Sequence, residues 1–334
     1  MGTEKIVMKA LVTGGGGFLG SAIVRSLLGR GYDVRTFQRS DYPFLYELGV
    51  GVHRGDLADG AAVLKATEDC DVLFHVAAKA GVWGKYDEYY RSNVIGTQNV
   101  IDACKKNQIS RLIYTSSPSV IFDGSDEENI NESVDYPEKY LTNYPKTKAL
   151  AERMVLKANQ EKLATVALRP HLIWGPGDPH LVPRILKRAK AGRLRLVGVR
   201  DNLVDSTYID NAAEAHLLAA ENLSTGSACA GKVYFISNDE PIPMAELINR
   251  ILAAAQLPPV TKRISPATAY LAGMFFESIY KLLHITKEPL MTRFVAQQLS
   301  SAHWFDISAA RRDLGYQPKI SINEGMQLLA KALA

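Results

Sequence analysis

Tyr144 and Lys148 stand four residues apart in the run NYPKTK, and Ser117 lies 27 residues upstream at the end of an apolar stretch. On an α-helix, positions i and i+4 share a face. An ammonium held beside a phenol favours the phenolate, so we expect Lys148 to lower the pKa of Tyr144 from its free value of about 10. Tyr144 would then donate a proton to a carbonyl oxygen that the Ser117 hydroxyl binds as negative charge develops. The three residues predict carbonyl reduction.

A glycine turn near the N-terminus indicates the source of the hydride. The apolar run from Ile6 to Thr13 predicts a buried strand, GGGGFLG follows at once, and a helical pattern begins at Phe18. Strand, glycine turn and helix are the context of a dinucleotide fingerprint, because the backbone approaches the pyrophosphate and the helix start offers free N–H groups. The predicted cofactor-binding residues here are Thr13, Gly14, Gly17, Phe18, Leu19 and Gly20.

The choice between the two nicotinamide cofactors is made about 20 positions past such a turn. The predicted second strand, 33–37, ends in Gln38, Arg39 and Ser40, with no carboxylate to bind a free ribose 2′-hydroxyl. Arg39 offers a planar cation to a 2′-phosphate, and Ser40 is a second donor. The sequence predicts NADP(H).

The βα alternation continues downstream. Asp56 and Leu57 follow a predicted strand at 50–52, where the carboxylate could reach the adenine amino group, and the strand 72–78 ends in Ala77 and Ala78, small enough for a cofactor to lie close. The strand 111–117 places Ser117 at a carboxyl end, where ligands bind in open parallel sheets. A helix starting near Tyr89 carries Asn93, which could hold a water at a local break or could be an ordinary surface residue.

These motifs resemble the extended short-chain dehydrogenases/reductases. TGGGGFLG, GDL, HVAAKAG, NVIGTQNV, YTSSPSV, YPKTK, LRPHLIWGPGD and VDSTYIDNAAEAHLLA follow the order of that family over nearly the whole chain. The chain is most similar to the 3β-hydroxysteroid dehydrogenase-like branch and, within it, to the reductases of 2-alkyl-3-oxoalkanoates in bacterial long-chain olefin biosynthesis. The similarity to these reductases rests on the motifs AAKAGVWG, LVPR, GRLRLVG and ACAGKVYFISNDEP.

The resemblance assigns roles to single residues. It implies that Tyr144 is the acid/base, that Lys148 activates it and contacts the ribose, that Ser117 binds the oxygen and that Asn93 holds a relay water. It adds Lys79 and Pro170 to the cofactor-binding set. It also implies a homodimer through helices near 89–107 and 145–159, and pathway partners that include a condensing thiolase, a β-lactone synthetase and a hydrolase.

Composition favours a cytoplasmic enzyme. The chain has 334 residues, is 47% hydrophobic and 22% charged, and carries a net charge of +4 from 39 basic and 35 acidic residues, with no single-sign run that indicates a nucleic-acid partner. Cys70, Cys104 and Cys229 are scattered, which suits a reducing compartment. The seven histidines show no ligand spacing, so we expect no metal. The N-terminal run lacks a signal-peptide layout, and Ile6 stands where myristoylation needs Ser or Thr.

The predicted fold is α/β: a Rossmann-type doubly wound parallel sheet with a smaller C-terminal α+β substrate lobe. We assign residues 1–170 plus 201–238 to the NADP-binding domain with the catalytic residues, and 171–200 plus 239–334 to the substrate lobe. The acid-rich connection 120–138 is either a mobile loop beside the active site or a solvated excursion.

One departure from the family pattern narrows the range of possible substrates. Nucleotide-sugar members carry a pyrophosphate-binding Arg where this chain has Val204, although Arg193, Arg195 and Arg200 keep that alternative open. The apolar segment 266–285 contains Glu277 and Lys281, so it predicts an amphipathic helix or helix pair rather than a membrane span, either packed in the lobe or covering an apolar channel. An amphipathic helix at 266–285 is also compatible with a peripheral membrane contact. The predicted substrate residues are Trp83, Trp174, Phe275 and Trp304.

The predicted reaction is therefore NADPH-dependent reduction of a hydrophobic 3-oxo acid. Rival enzyme functions are a 3β-hydroxysteroid or sterol-carboxylate dehydrogenase and a dihydroflavonol-type reductase. A non-catalytic, NADP-sensing regulator is a rival of another class. The intact Ser117, Tyr144 and Lys148 disfavour the regulator, since a sensor has no need of them.

Overall fold

The structure is a computed structural model that describes residues 7–198 and 202–334. The predicted strand start at Ile6, Arg200 and the domain boundary at 200–201 lie outside the described residues. The strands are β1 Lys9–Thr13, β2 Asp33–Gln38, β3 Gly51–Arg54, β4 Val72–His75, β5 Arg111–Thr115, β6 Glu127–Ile130, β7 Ala164–Pro170, β8 Ile173–Trp174, β9 Leu196–Val197, β10 Leu203–Val204, β11 Thr207–Tyr208, β12 Lys232–Ile236, β13 Ile242–Pro243, β14 Arg263–Ile264 and β15 His303–Phe305.

The helices alternate with the strands in the first half of the chain and predominate in the last third. They are α1 Phe18–Gly29, α2 Pro43–Glu47, α3 Gly60–Ala66, α4 Tyr86–Tyr89, α5 Gly96–Lys106, α6 Asn143–Lys157, α7 Leu181–Lys190, α8 Ile209–Asn222, α9 Met244–Ala254, α10 Pro266–Leu282, α11 Arg293–Ser300, α12 Ser308–Leu314 and α13 Ile322–Leu333. A π-helix, Tyr90–Ile95, joins α4 to α5, and a 3₁₀ helix, Pro118–Val120, follows β5.

The central element is a seven-stranded parallel sheet in the order β12-β7-β5-β4-β1-β2-β3. Its inner strands β1, β4 and β7 are short, mostly apolar runs buried on both faces, as parallel sheets covered by helices require. The strand order reverses between β1 and β4, and ligands bind at the carboxyl ends of strands beside such a switch point. The predicted Rossmann-type fold is confirmed, with the glycine turn after β1 and Ser117 after β5 at the same edge of the sheet.

A smaller four-stranded sheet, in the order β13-β10-β15-β6, lies outside the seven-stranded sheet and combines strands from both predicted domains. Its strand β6 falls inside the acid-rich segment 120–138, so the predicted mobile loop is wrong for this part. The cause is pairing: β6 runs parallel to β15, the Glu127 side chain is buried, and the Glu132 carboxylate accepts a hydrogen bond from the Phe235 backbone N–H at 2.8 Å.

The segment predicted as an amphipathic helix or helix pair is one helix, α10. The Ser265 side chain caps its start by accepting a hydrogen bond from the Thr268 N–H. One face packs on α11, where the Glu277 carboxylate accepts hydrogen bonds from the Arg293 backbone N–H and from its Nε at 2.7 and 2.8 Å. A Cβ on Gly273 would lie 2.6 Å from the Arg293 nitrogen, so only glycine allows this approach.

Candidate active site

The glycine turn forms one end of a cleft of about 470 Å³ at the switch point of the large sheet. Gly14 has a φ of +71°, and the Gly17 N–H donates to the Gly14 carbonyl at 2.8 Å. A Cβ on Gly20 would stand 2.1 Å from that carbonyl oxygen, so the start of α1 lies directly against the turn. No side chain caps α1, which leaves its first N–H groups available to an anion.

Most of the predicted cofactor-binding residues line this cleft together. They are Gly14, Gly17, Phe18, Leu19, Gly20, Arg39, Ser40, Asp56, Leu57, Ala77, Ala78, Tyr144 and Lys148. Residues that sequence analysis missed line it as well: Gln38, Tyr42, Ala80, Ser92, Ile173, Asp178 and His180. Their signals were weak, because a cleft-lining position in a loop follows no periodicity.

Three predicted cofactor residues do not line the cleft. Thr13 is fully buried, and its hydroxyl accepts hydrogen bonds from the Val76 and Ala77 N–H groups at 3.1 Å, so it ties β1 to the loop after β4. Pro170 ends β7 with its side chain buried. The Lys79 ammonium forms an ion pair with Glu88 at 3.0 Å. The cofactor-binding role of these three residues stays a prediction.

The far end of the cleft has donors and no carboxylate at the end of β2. Arg39 is exposed and has no ion-pair partner among the described residues. Gln38 is buried, and neither its Nε2 nor its Oε1 has a hydrogen-bond partner within the described part of the chain. An unpaired buried amide costs about 1–3 kcal/mol, so a polar group that entered the cleft and bonded to Gln38 would recover this free energy. The Asp56 carboxylate lies further along, 3.3 Å from the Arg91 guanidinium.

The chemical end of the cleft is formed by the start of α6 and the turn after β5. Tyr144 and Lys148 lie one helical turn apart, as predicted. The Ser117 hydroxyl lowers the pKa of the Tyr144 phenol and lies 3.0 Å from the Ser119 hydroxyl. Ser119, which sequence analysis missed, is therefore a hydrogen-bond partner of Ser117.

The predicted lowering of the Tyr144 pKa is wrong in this structure. Burial raises the pKa of the phenol, and the hydrogen bond from Ser117 opposes that shift only in part. The Lys148 ammonium does not compensate, because it donates to the Thr115 carbonyl oxygen at 2.6 Å and lies 4.1 Å from the centre of the Tyr114 ring. Tyr144 is therefore protonated at neutral pH, which is the form that donates a proton to a ketone oxygen.

Lys148 is held in an apolar setting, with 2% of its surface exposed. Burial lowers the pKa of its ammonium to about 7, and the Glu152 carboxylate counteracts this only in part. Glu152 is itself bound to the Arg169 guanidinium at 2.6 Å, in an ion pair that is almost completely buried. Lys148 thus titrates in the working range of an enzyme.

Asn93 lies in the π-helix between α4 and α5, so the predicted local break is present. Its side chain is 2% exposed, and the alternative of an ordinary surface residue is wrong. The amide accepts from the Lys79 N–H at 2.7 Å and donates to the Lys79 carbonyl and the Thr147 hydroxyl at 3.1 and 3.0 Å. Asn93 thereby joins the loop after β4 to the helix that carries Tyr144; the relay water stays a prediction.

A second cavity has a volume of about 410 Å³. Its lining residues Leu172 and Leu181 are the chain neighbours of Ile173 and His180, which line the cleft. Its wall is mainly apolar and includes Ile185, Leu247, Ala272, Phe276, Phe294 and Val295. The inner face of α10 therefore covers this cavity. Covering an apolar channel was one of the two roles predicted for the segment 266–285.

The predicted aromatic substrate residues do not line either space. Trp174 is fully buried in the core, where its Nε1 donates to the Ser206 hydroxyl at 3.0 Å, and that prediction is corrected. Phe275 is 60% exposed on the outer side of α10, and its neighbour Phe276 takes the inner position. Trp83 donates to the Ile285 carbonyl at 3.0 Å, and Trp304 is half-buried beside the cavity residue His303. Pocket positions cannot be read from residue type alone.

Within residues 7–198 and 202–334, no three His, Cys, Asp or Glu side chains are grouped to hold a metal ion. Val204, at the position of the phosphate-binding Arg in nucleotide-sugar enzymes, is fully buried in β10. Of the three alternative arginines, Arg193 and Arg195 line the apolar cavity.

The parallel sheet, the glycine turn and the Ser117, Tyr144 and Lys148 arrangement define an oxidoreductase of the extended short-chain dehydrogenase/reductase class. The sequence profile of the 3-beta hydroxysteroid dehydrogenase/isomerase family matches residues 11–262, and the chain belongs to that family.

Individual relatives and one solved structure agree with this placement. The chain is 55% identical to a 2-alkyl-3-oxoalkanoate reductase of Stenotrophomonas maltophilia (strain K279a), over 98% of this chain and 100% of that protein. It is 35% identical to a sterol-4-alpha-carboxylate 3-dehydrogenase (decarboxylating) of Mus musculus, over 96% of this chain and 89% of that protein. The crystal structure of gox2253 superimposes with a TM-score of 0.78 at 27% identity and covers 97% of both chains.

Proposed function

We propose that this enzyme uses NADPH to reduce the 3-oxo group of a long-chain 2-alkyl-3-oxoalkanoate to the 2-alkyl-3-hydroxyalkanoate, a step of olefin biosynthesis. The observation that carries the proposal is the pairing of two spaces: a dinucleotide-sized cleft lined by Tyr144 and Lys148, and an apolar cavity whose lining residues Leu172 and Leu181 are the chain neighbours of the cleft residues Ile173 and His180. The 55% identical relative with this substrate in its name supports the choice of acid.

The residues present fit a dinucleotide. The glycines of the turn bring its backbone to the cleft, because a Cβ on Gly16 would collide with Tyr42 and a Cβ on Gly20 with the Gly14 carbonyl, and a backbone so exposed admits a pyrophosphate. The buried Gln38 amide has no hydrogen-bond partner among the described residues and is available to a polar group of the cofactor. Bound NADPH supplies the hydride. Tyr144 delivers the proton to the substrate oxygen, and the Ser117 hydroxyl holds that oxygen by a hydrogen bond.

The preference for NADPH over NADH is part of the proposal. Arg39 and Ser40 line the cleft beyond β2, and Gln38 occupies the place where a carboxylate would bind a free ribose 2′-hydroxyl. A carboxylate there would repel a 2′-phosphate, whereas a guanidinium binds it by charge-assisted hydrogen bonds.

We extend the proposal to the assembly of the enzyme. Tyr90 and Ile95, on the π-helix, expose 38% and 40% of their surface, which supports a homodimer interface formed by this helix and α6. On α10, Leu271, Phe275 and Leu282 are 57%, 60% and 78% exposed above the apolar cavity, which supports a peripheral membrane contact for a cytoplasmic enzyme. In the described part of the chain no helix has the length and apolar character to cross a membrane. Partner enzymes would be those that make and consume the acid: a condensing thiolase, a β-lactone synthetase and a hydrolase.

The test is a spectrophotometric screen of NADPH oxidation with 2-alkyl-3-oxo acids, 3-oxosteroids and dihydroflavonols. We expect turnover with the acids, and we expect Tyr144→Phe to reduce it about a hundredfold or more while the cofactor still binds. Tyr46→Phe, which removes an exposed phenol outside the lining of the cleft, is the matched control. Faster turnover on a steroid would favour the sterol dehydrogenase, and cofactor binding without any turnover would favour the regulator.

A further inference from the structure

The apolar cavity has one unsatisfied polar group, at His171. The imidazole is 8% exposed, and its Nε2 is buried without a hydrogen-bond partner among the described residues. His171 lines the cavity and contacts Phe305 edge-on, with 5.3 Å between ring centres. A buried nitrogen without a hydrogen-bond partner is costly unless a ligand supplies one.

The neighbouring histidine of the cavity has no donor to spare. His303 Nδ1 lies 3.1 Å from the Glu127 carboxylate, and its Nε2 lies 3.0 Å from the Ser301 hydroxyl and 3.1 Å from the Gln298 carbonyl. Its ring centre is 5.8 Å from that of His171. His303 therefore fixes the position of His171 by packing and leaves His171 Nε2 as the free group at this corner.

The sheet register places His171 beside the reacting centre. Strands β5 and β7 are parallel with Thr115 opposite Leu168, and the Ser116 N–H donates to the Leu168 carbonyl at 2.6 Å. Ser117 and His171 thus leave the same edge of the sheet on adjacent strands, which lie about 4.8 Å apart. In a 3-oxo acid the carboxylate is attached two carbons along from the ketone oxygen that Ser117 would bind, a separation of the same order.

Three of the four arginines that line the cavity are less suited to this carboxylate. Arg188 is seven residues along α7 from Leu181, the first residue of that helix, a distance of about 10 Å at 1.5 Å per residue. Arg184 is paired with the Glu288 carboxylate at 2.9 Å. Arg195 donates to the Gly192 and Leu194 carbonyl oxygens. None of these guanidiniums follows a strand next to Ser117.

We propose that His171 donates an Nε2–H hydrogen bond to the carboxylate of the substrate, and that it is the residue by which this enzyme selects 3-oxo acids over ketones without the acid group. The inference rests on the proposed function and names the group that recognises the acid. A site built to bond a polar group discriminates strongly against an analogue that lacks it, because its own donor is then left unpaired.

The test uses the stable product side of the reaction. NADP⁺-dependent oxidation is measured for a 2-alkyl-3-hydroxy acid and for the secondary alcohol with the same two alkyl arms but no carboxylate. We expect the wild type to favour the acid in kcat/KM by at least about tenfold. His171→Phe keeps a ring against Phe305 and removes the donor, so the acid-to-alcohol ratio should fall by about tenfold, mainly through KM. His171→Gln keeps an N–H near the Nε2 position and should restore the ratio to within about threefold.

The outcomes separate the two proposals. A wild type that oxidises neither compound refutes the proposed function and this inference with it. A wild type that oxidises both equally well keeps the reductase and refutes the role of His171, as does a His171→Phe enzyme with an unchanged ratio. If His171→Phe fails to fold, His171→Leu and His171→Gln are compared in its place, and equal ratios in those two variants also refute the inference.

Discussion

Removing the Arg39 guanidinium should abolish most of the preference for NADPH over NADH. Arg39 lines the cleft at the end of β2 and has no ion-pair partner among the described residues, so its charge is available to a 2′-phosphate. NADH lacks that phosphate. The substitution Arg39→Ala should therefore weaken NADPH binding and leave NADH binding nearly unchanged.

The size of the effect follows from the exposure of Arg39. A hydrogen bond to a charged group contributes about 1.5–3 kcal/mol, and an exposed position favours the lower value because water and salt screen the charges. About 1.5 kcal/mol corresponds to about a tenfold change in Kd. Arg39→Lys keeps the charge and loses the planar fork, so we expect a smaller loss, of about threefold.

Calorimetric titration of each variant with both cofactors measures this preference, first at low ionic strength and then in about 1 M salt, where screening should reduce it. Lys105→Ala is the matched control, since it removes an exposed positive charge near the end of α5, outside the lining of the cleft. Equal affinity of the wild type for NADPH and NADH, or an unchanged ratio in Arg39→Ala, would refute the assignment of Arg39.

Three further predictions concern the cleft and its support. Burial lowers the pKa of Lys148 to about 7, so raising the pH from about 6 to 9 should remove its charge and raise the Kd for NADPH severalfold in calorimetric titrations. The Lys148→Met variant should bind NADPH more weakly than the wild type at every pH, and its Kd should not rise over this range. Gly20→Ala puts a Cβ 2.1 Å from the Gly14 oxygen and should weaken cofactor binding at least tenfold, whereas Gly29→Ala, with open space around it, should bind normally. Glu152→Gln breaks a buried ion pair and should lower the free energy of unfolding by about 3 kcal/mol in urea titrations, against less than about 1 kcal/mol for Glu221→Gln in the exposed pair with Arg30.

The sequence predicted those parts of the site that depend on local chain geometry. The turn after β1 needs glycines for its positive φ and for the contact with α1, and such needs show in the residues themselves. The spacing of Tyr144 and Lys148 fixed their common face once a helix formed there. A local break at Asn93 was one of two alternatives that the sequence left open, and the structure has a π-helix there.

The remaining parts depend on long-range packing that periodicity does not encode. Glu127 reads as a solvated acid and is buried because β6 pairs with a strand 176 residues away. Trp174 reads as a ligand-binding aromatic and lies in the core because Ser206 supplies a partner for its indole. The pKa of Tyr144 was predicted with the wrong sign because the degree of burial around a phenol cannot be read from the residue four positions along the helix.

The central claim, an NADPH-dependent reductase of long-chain 3-oxo acids, is tested most directly by kcat/KM across a chain-length series of 2-alkyl-3-oxo acids, with a 3-oxosteroid as comparison. Each methylene buried in the apolar cavity contributes at most about 0.8 kcal/mol. We predict that the efficiency rises severalfold with each added pair of carbons until the cavity of about 410 Å³ is filled, and then levels off. A flat chain-length profile, or a higher efficiency with the steroid or with a short polar ketone, would contradict the account.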